Sequence, residues 1–216
     1  MNNTTPTRAN VVVLRQMLNL IPRGLINRHA LETGVAAKAR SFSVVSHLSS
    51  MLFAQLSHVM GLKDVCDWLR LKAPVLSRFG VTSPSKKALS NANKERNAEF
   101  AEKIFWSVLG RLQHASPDFA AGRKGKGLLR RFKVRVHAVR WQVYTALLVY
   151  ALLRLIAHLS QWGHSFTRLF AVTRSALWER IDLFALLKSY GTASGRFKVI
   201  GALNTAWLRG FAPAKT

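Results

Sequence analysis

The stretch FSVVSHLSSMLFAQLSHV, residues 42–59, decides how the chain is read. Its apolar positions Val45, Leu48, Leu52, Leu56 and Val59 recur at intervals of three and four, which places them on one helical stripe and excludes the period-two alternation of a strand. The neighbours repeat the signal. Upstream, residues 12–20 read as a helix stopped by Pro22, followed by a loop through Gly24 to Gly34. Downstream, Leu62, Val65, Cys66 and Leu69 form a second stripe, with Asp64 in the first turn and Arg70 and Lys72 near the end, where each charge suits the helix dipole.

Further along, Ser83-Pro84 offers a helix start, a capping hydroxyl with proline in the first turn. That helix runs past Ser90 and breaks near Asn97, before a long apolar face of Ala101, Ile104, Phe105, Val108, Leu109 and Leu112. Between His114 and Gly127 the composition changes to a linker, with GRKGKG at 122–127. Residues 132–139 alternate apolar and basic side chains, the pattern of a half-buried strand with no clear partner. Residues 141–159 are apolar nearly all round, 166–177 return to three-and-four spacing, and 181–187 suggest one more short helix.

The expected class is therefore mainly α. It comprises a helical N-terminal domain over 11–113, a basic linker over 114–131, one short orphan strand with C-terminal helices over 132–190, and an irregular tail over 191–216. The apolar run 141–153 is bracketed by Arg140 and Arg154 and falls short of the ~20 residues that cross a bilayer, so it reads as a buried helix and no membrane partner is expected. No secretory signal is visible in the first residues, which points to the cytoplasm.

Charge carries most of the functional information. The 216 residues hold 33 Lys and Arg against nine Asp and Glu, a formal net charge of +24. Such an excess draws polyanions by counterion release. It is densest over 119–140, where eight basic residues, among them Arg123, Lys124, Lys126, Arg130 and Arg131, meet no acid. Contacts of that kind grip phosphate without selecting bases. On the helix after Ser83, Lys86, Ser90, Asn93 and Asn97 fall on one face, beside Lys87. Lys and Asn there suit a major groove, and with the helix at 62–71 they suggest a helix-turn-helix variant whose connection is longer than the usual tight turn.

Other chemistries find little support. The seven histidines show no HxxxH or HExxH spacing, Cys66 has no second thiol to pair with, and neither a phosphate-binding Gly-rich loop nor a GxSxG motif occurs.

Particular stretches carry a family resemblance. Residues 18–23 (LNLIPR), 40–43 (RSFS), 51–56 (MLFAQL) and 88–96 (ALSNANKER) resemble the N-terminal domain of bacterial insertion-sequence transposases of the IS-four family, and 139–148 (VRWQVYTALL) with 180–183 (RIDL) are similar to their C-terminal helices. The resemblance implies a domain that contacts transposon ends ahead of a ribonuclease-H-like core, whose Asp-Asp-Glu set holds two Mg²⁺ ions. Here the pattern departs from the family. Arg140 stands where the first Asp is expected, no tyrosine is followed at the third position by Arg, and 119–178 contain no acid.

Mg²⁺ needs convergent oxygen ligands, and the nine acids interleave with Lys and Arg along helices. The expectation is a truncated, DNA-binding transposase remnant without a working catalytic site or cofactor, joined across an internal deletion near 139–140 and nucleoid-associated. The alternative is an interaction protein that pairs with intact transposase and poisons it. The helix over 141–159, stripped of the sheet it packs on in the family, is expected to leave apolar surface exposed.

Overall fold

The computed structural model describes residues 11–38, 41–57, 59, 61–119 and 136–190, which contain ten α-helices and no strand. In chain order these are α1 (Val13–Asn19), α2 (Arg23–Glu32), α3 (Val44–Ser57), α4 (Leu62–Leu71), α5 (Ala73–Ser77), α6 (Lys86–Glu95), α7 (Glu99–Ala115), α8 (His137–Leu159), α9 (Phe166–Ser175) and α10 (Leu183–Tyr190). The mainly helical expectation holds.

Two helices form the axis of the core. α3 is buried nearly all round, polar residues included. Its buried serines tolerate this because Ser49 and Ser50 donate back to the carbonyls of Val45 and Ser46 at 2.7 and 2.8 Å, which satisfies hydroxyls that water cannot reach. α8 lies against α7 and α3 and buries Trp141, Tyr144, Leu148, Leu152, Leu153 and Ile156. α2 packs on the far side of α7, and α4 packs on both α3 and α6. One hydrophobic cluster runs from Val12 to Leu187, so the two ends of the described chain share a core.

The chain ends are also bonded to each other. The first-turn N–H groups of α1 lack partners within their own helix. Those of Val13 and Leu14 donate to the carbonyls of Glu179 and Leu177 at 3.2 and 3.0 Å. The buried Gln16 side chain donates to the Val11 and Ile181 carbonyls and accepts from the Leu183 N–H at 3.0 Å.

α5 fills the connection between α4 and α6. It ends in a Schellman closure, with Val81 N–H on the Leu76 carbonyl at 3.1 Å, Gly80 N–H on the Ser77 carbonyl at 3.0 Å, and Gly80 at φ +75°.

Several expectations are corrected. The loop expected through Gly24 to Gly34 is largely helix α2, which buries only Ile26 and Ala30 and so shows no stripe in sequence. The cap of α6 is Ser85, not Ser83; its hydroxyl accepts from Ala88 N–H at 3.1 Å. Of the expected strand over 132–139, residues 132–135 lie outside the described residues and His137, Ala138 and Val139 form the first turn of α8.

α7 and α3 cover one side of α8, while Val139, Tyr150 and Leu159 on it stay exposed, so part of the expected apolar surface does face solvent. The helix is 23 residues long and apolar enough to cross a bilayer, yet half of its most apolar window is buried in this core. It exceeds the uninterrupted apolar run because it continues past both bracketing arginines. Arg140 pairs with Glu102 at 2.7 Å, and Arg154 bonds Tyr150 at 3.0 Å. Most of the linker, 120–131, and the tail, 191–216, lie outside the described residues.

Candidate nucleic-acid interface

A buried polar node fixes the orientation of α6. Leu89, Ala92, Asn93 and Arg96 follow the i, i+3, i+4, i+7 spacing, and all four are buried. Asn93 Oδ1 lies 2.7 Å from Nε2 of His47 on α3. With the amide oxygen accepting, Nε2 carries the hydrogen and Nδ1 is left bare in the interior, where it has no partner. The other tautomer would strand an N–H donor at Nδ1, which proteins avoid more strictly than a stranded acceptor.

Burial pushes the His47 imidazole down to about 3; the Asn93 hydrogen bond opposes that shift and the Arg96 charge adds to it. Trp141 packs against His47 with the two rings tilted by 45° and centroids 4.2 Å apart, and donates its indole N–H to the Arg96 carbonyl at 3.1 Å. The Arg96 guanidinium turns to the carbonyls of Phe42 and Ser43 and covers the Phe42 ring.

With that side of α6 committed to the core, its outer side carries Lys87, Asn91 and Lys94, all exposed, at i, i+4 and i+7. Lys86, also exposed, turns toward α4 and lines a groove of about 640 Å³. Lys63 and Arg70 of α4 line the same groove opposite Ser83, Pro84 and Ser85. One carboxylate enters it, Asp67, which Arg70 holds at 3.0 Å. Positive charge therefore remains in excess, at the N-terminal end of α6 where the helix dipole also favours an anion. Cys66 forms part of the floor. Burial, then Asp67, raises its pKa, so it stays a protonated thiol.

Four of the residues singled out from the sequence lie in the described part of the chain. Lys86 and Lys87 are exposed as anticipated, one in the groove and one on the outer face, and Ser90 is half-buried between them and the core. Asn93 is 6% exposed and hydrogen-bonded inside, so it is not on the surface the pattern suggested. Arg123, Lys124, Lys126, Arg130 and Arg131 lie outside the described residues. Sequence reasoning missed Lys63, Arg70, Asn91 and Lys94. A one-residue rotation of the assumed face would have found the last two.

Several acids serve the scaffold. Glu32 takes Lys103 and His29, each at 3.0 Å, and these partners hold its carboxyl below the usual range. Glu102 takes Arg140, and its hydrogen bond adds to burial in raising the Tyr144 phenol to about 12. Asp182 caps α10 through the N–H groups of Phe184 and Ala185 at 2.9 and 3.3 Å. Among the described residues, no three His, Cys, Asp or Glu side chains converge as a metal-holding group.

The fold and this face describe an all-helical, strongly basic scaffold with a cationic groove between two neighbouring helices. A family described as a domain of unknown function (DUF4372) matches residues 10–82, which span α1 to α5. No curated protein and no solved structure matches the chain.

Proposed function

We propose that the chain binds DNA through the outer face of α6 and the α4/α6 groove, as a remnant of an IS-four-family transposase whose Asp-Asp-Glu set is missing, with transposon ends as its DNA and the bacterial nucleoid as its location. One observation carries the reading: Lys63, Arg70 and Lys86 surround one groove that a single carboxylate, Asp67, enters, and Lys87 and Lys94 extend the positive charge along α6, where Glu95 is the one exposed acid. The basic run 123–135, which includes Arg123, Lys124, Lys126, Arg130 and Arg131, adds phosphate contacts.

Fluorescence anisotropy with terminal-repeat duplex at increasing salt tests the proposal. Affinity should fall linearly on a log–log plot, with a slope of about −0.9 per phosphate contacted. A flat salt response, or no binding at low salt, refutes it. The alternative, pairing with an intact transposase, is favoured by Trp68 and Leu71, 48% and 73% exposed on α4. Unchanged transposition frequency on co-expression argues against that alternative.

A further inference from the structure

A second cavity, of about 350 Å³, lies between α1, α2, the start of α3 and the turn after α5. Two arginines line it, Arg15 from α1 and Arg23 from α2. Neither meets a carboxylate within ion-pair distance among the described residues. Arg15 is held in place without a counter-charge: its guanidinium donates to the Phe79 carbonyl at 3.4 Å and sits 5.4 Å from the Phe79 ring centroid. Burial, and then repulsion from Arg23, lowers the Arg15 pKa.

The half-buried Arg15 guanidinium thus shares the cavity with the like charge of Arg23 at its exposed rim, an arrangement that costs free energy until an anion enters. Asn27 and Ser43 add hydrogen-bonding groups, while Ile21, Val45 and Phe79 supply an apolar wall. The volume is at the lower end of the range for small-molecule sites.

We propose that this cavity binds a compact organic phosphate, its phosphoryl oxygens between Arg15 and Arg23 and its body against the apolar wall. The ligand is either a free mononucleotide-sized phosphate or the phosphorylated end of a nucleic-acid strand, which present the same chemistry. The site is separate from the α4/α6 face, and all its lining residues fall within the segment matched by the family of unknown function.

Calorimetric titration of the full chain at fixed ionic strength tests it, with inorganic phosphate, thymidine, thymidine 5′-monophosphate, and one short duplex with and without a 5′-phosphate as probes. The expected result is that the monophosphate, the 5′-phosphorylated duplex, or both bind tenfold or more tightly than the same molecule without phosphate, and that the monophosphate outbinds inorganic phosphate. Arg23→Gln should remove that preference. Arg28→Gln, which takes the same charge from α2 outside the cavity, should change it less than twofold.

Asn27→Glu places a carboxylate four residues from Arg23 on the same helix and should displace the phosphate while the melting temperature holds or rises. A preference seen only with the duplex identifies a strand end as the source; one seen with the monophosphate identifies the free ligand. Equal losses in Arg23→Gln and Arg28→Gln, or no preference for phosphate in any probe, overturns the proposal. DNA affinity lost through Lys87 and Lys94 with this preference intact would separate the two sites.

Discussion

Acidification should unfold this protein through His47 before most carboxylates titrate. The imidazole is fully buried, its Nδ1 has no acceptor to meet, and Arg96 is close enough to repel a second positive charge, so the native state holds it neutral with a pKa of about 3. The unfolded chain binds a proton at about 6.5. A folded pKa depressed below the unfolded value means that the unfolded state gains protons first. Stability from this group is therefore complete above pH 6.5 and is lost as pH falls toward 3, at about 1.4 kcal/mol per unit. Between pH 7.5 and 4.5 the loss amounts to roughly 2.7 kcal/mol, a large share of the stability of an ordinary domain.

The assay is urea unfolding followed by tryptophan fluorescence at a series of pH values, for the natural chain and for His47→Gln. Glutamine can still donate to Asn93 but does not titrate. Carboxylate contributions cancel in the difference between the two chains, which should shrink by about 1.4 kcal/mol per unit below pH 6.5. Parallel pH profiles would refute the reasoning.

Three other perturbations follow from the geometry. Lys87→Gln with Lys94→Gln removes two exposed charges from α6 and should lower the salt slope of DNA binding by about 2 without changing the melting temperature, as anisotropy and thermal unfolding will show. Gln16→Ala leaves the Val11 and Ile181 carbonyls and the Leu183 N–H without this partner; the expected cost is about 2–4 kcal/mol, with faster proteolysis near residues 177–183. Trp141→Phe opens space beside His47 and Phe100 and strips the Arg96 carbonyl of its indole donor, for a loss of about 2–4 kcal/mol in urea titration and with DNA affinity retained once folded.

The sequence was most legible where burial and apolarity coincide. α4 and α7 carry uninterrupted three-and-four spacing, α8 is apolar nearly all round, and the break near Asn97 appears as the gap between Glu95 and Glu99. It was least legible where polar residues are buried or helices are shallow. α2 exposes Arg23, Gly24, Asn27 and Arg28, and only Ile26 and Ala30 mark its inner side.

The alternation that suggested a strand over 132–139 ends in helical turn. Val136, 59% exposed, is the extended N-cap residue of α8, and Val139, 41% exposed, lies in its first turn. Asn93 misled for a different reason. A hydrogen-bond partner 46 positions away makes an amide a core residue, and no local pattern encodes that partner. The groove had the same defect, since Lys63 and Arg70 come from a helix separated from Lys86 by all of α5.

The packing also changes what the C-terminal helices mean for DNA binding. The matched segment 10–82 does not close on itself: the first N–H groups of α1 are satisfied by carbonyls of Leu177 and Glu179, and Trp141 of α8 braces both His47 and the carbonyl of Arg96. The α6 face is therefore aimed by residues from both halves, through a node in which α3, α6 and α8 each supply a necessary partner. The C-terminal segment 136–190 fills the core and supplies the carbonyls that meet the first turn of α1. The proposed basic face keeps a defined orientation because α8, within the acid-free segment 119–178, is apolar enough to hold the N-terminal helices together.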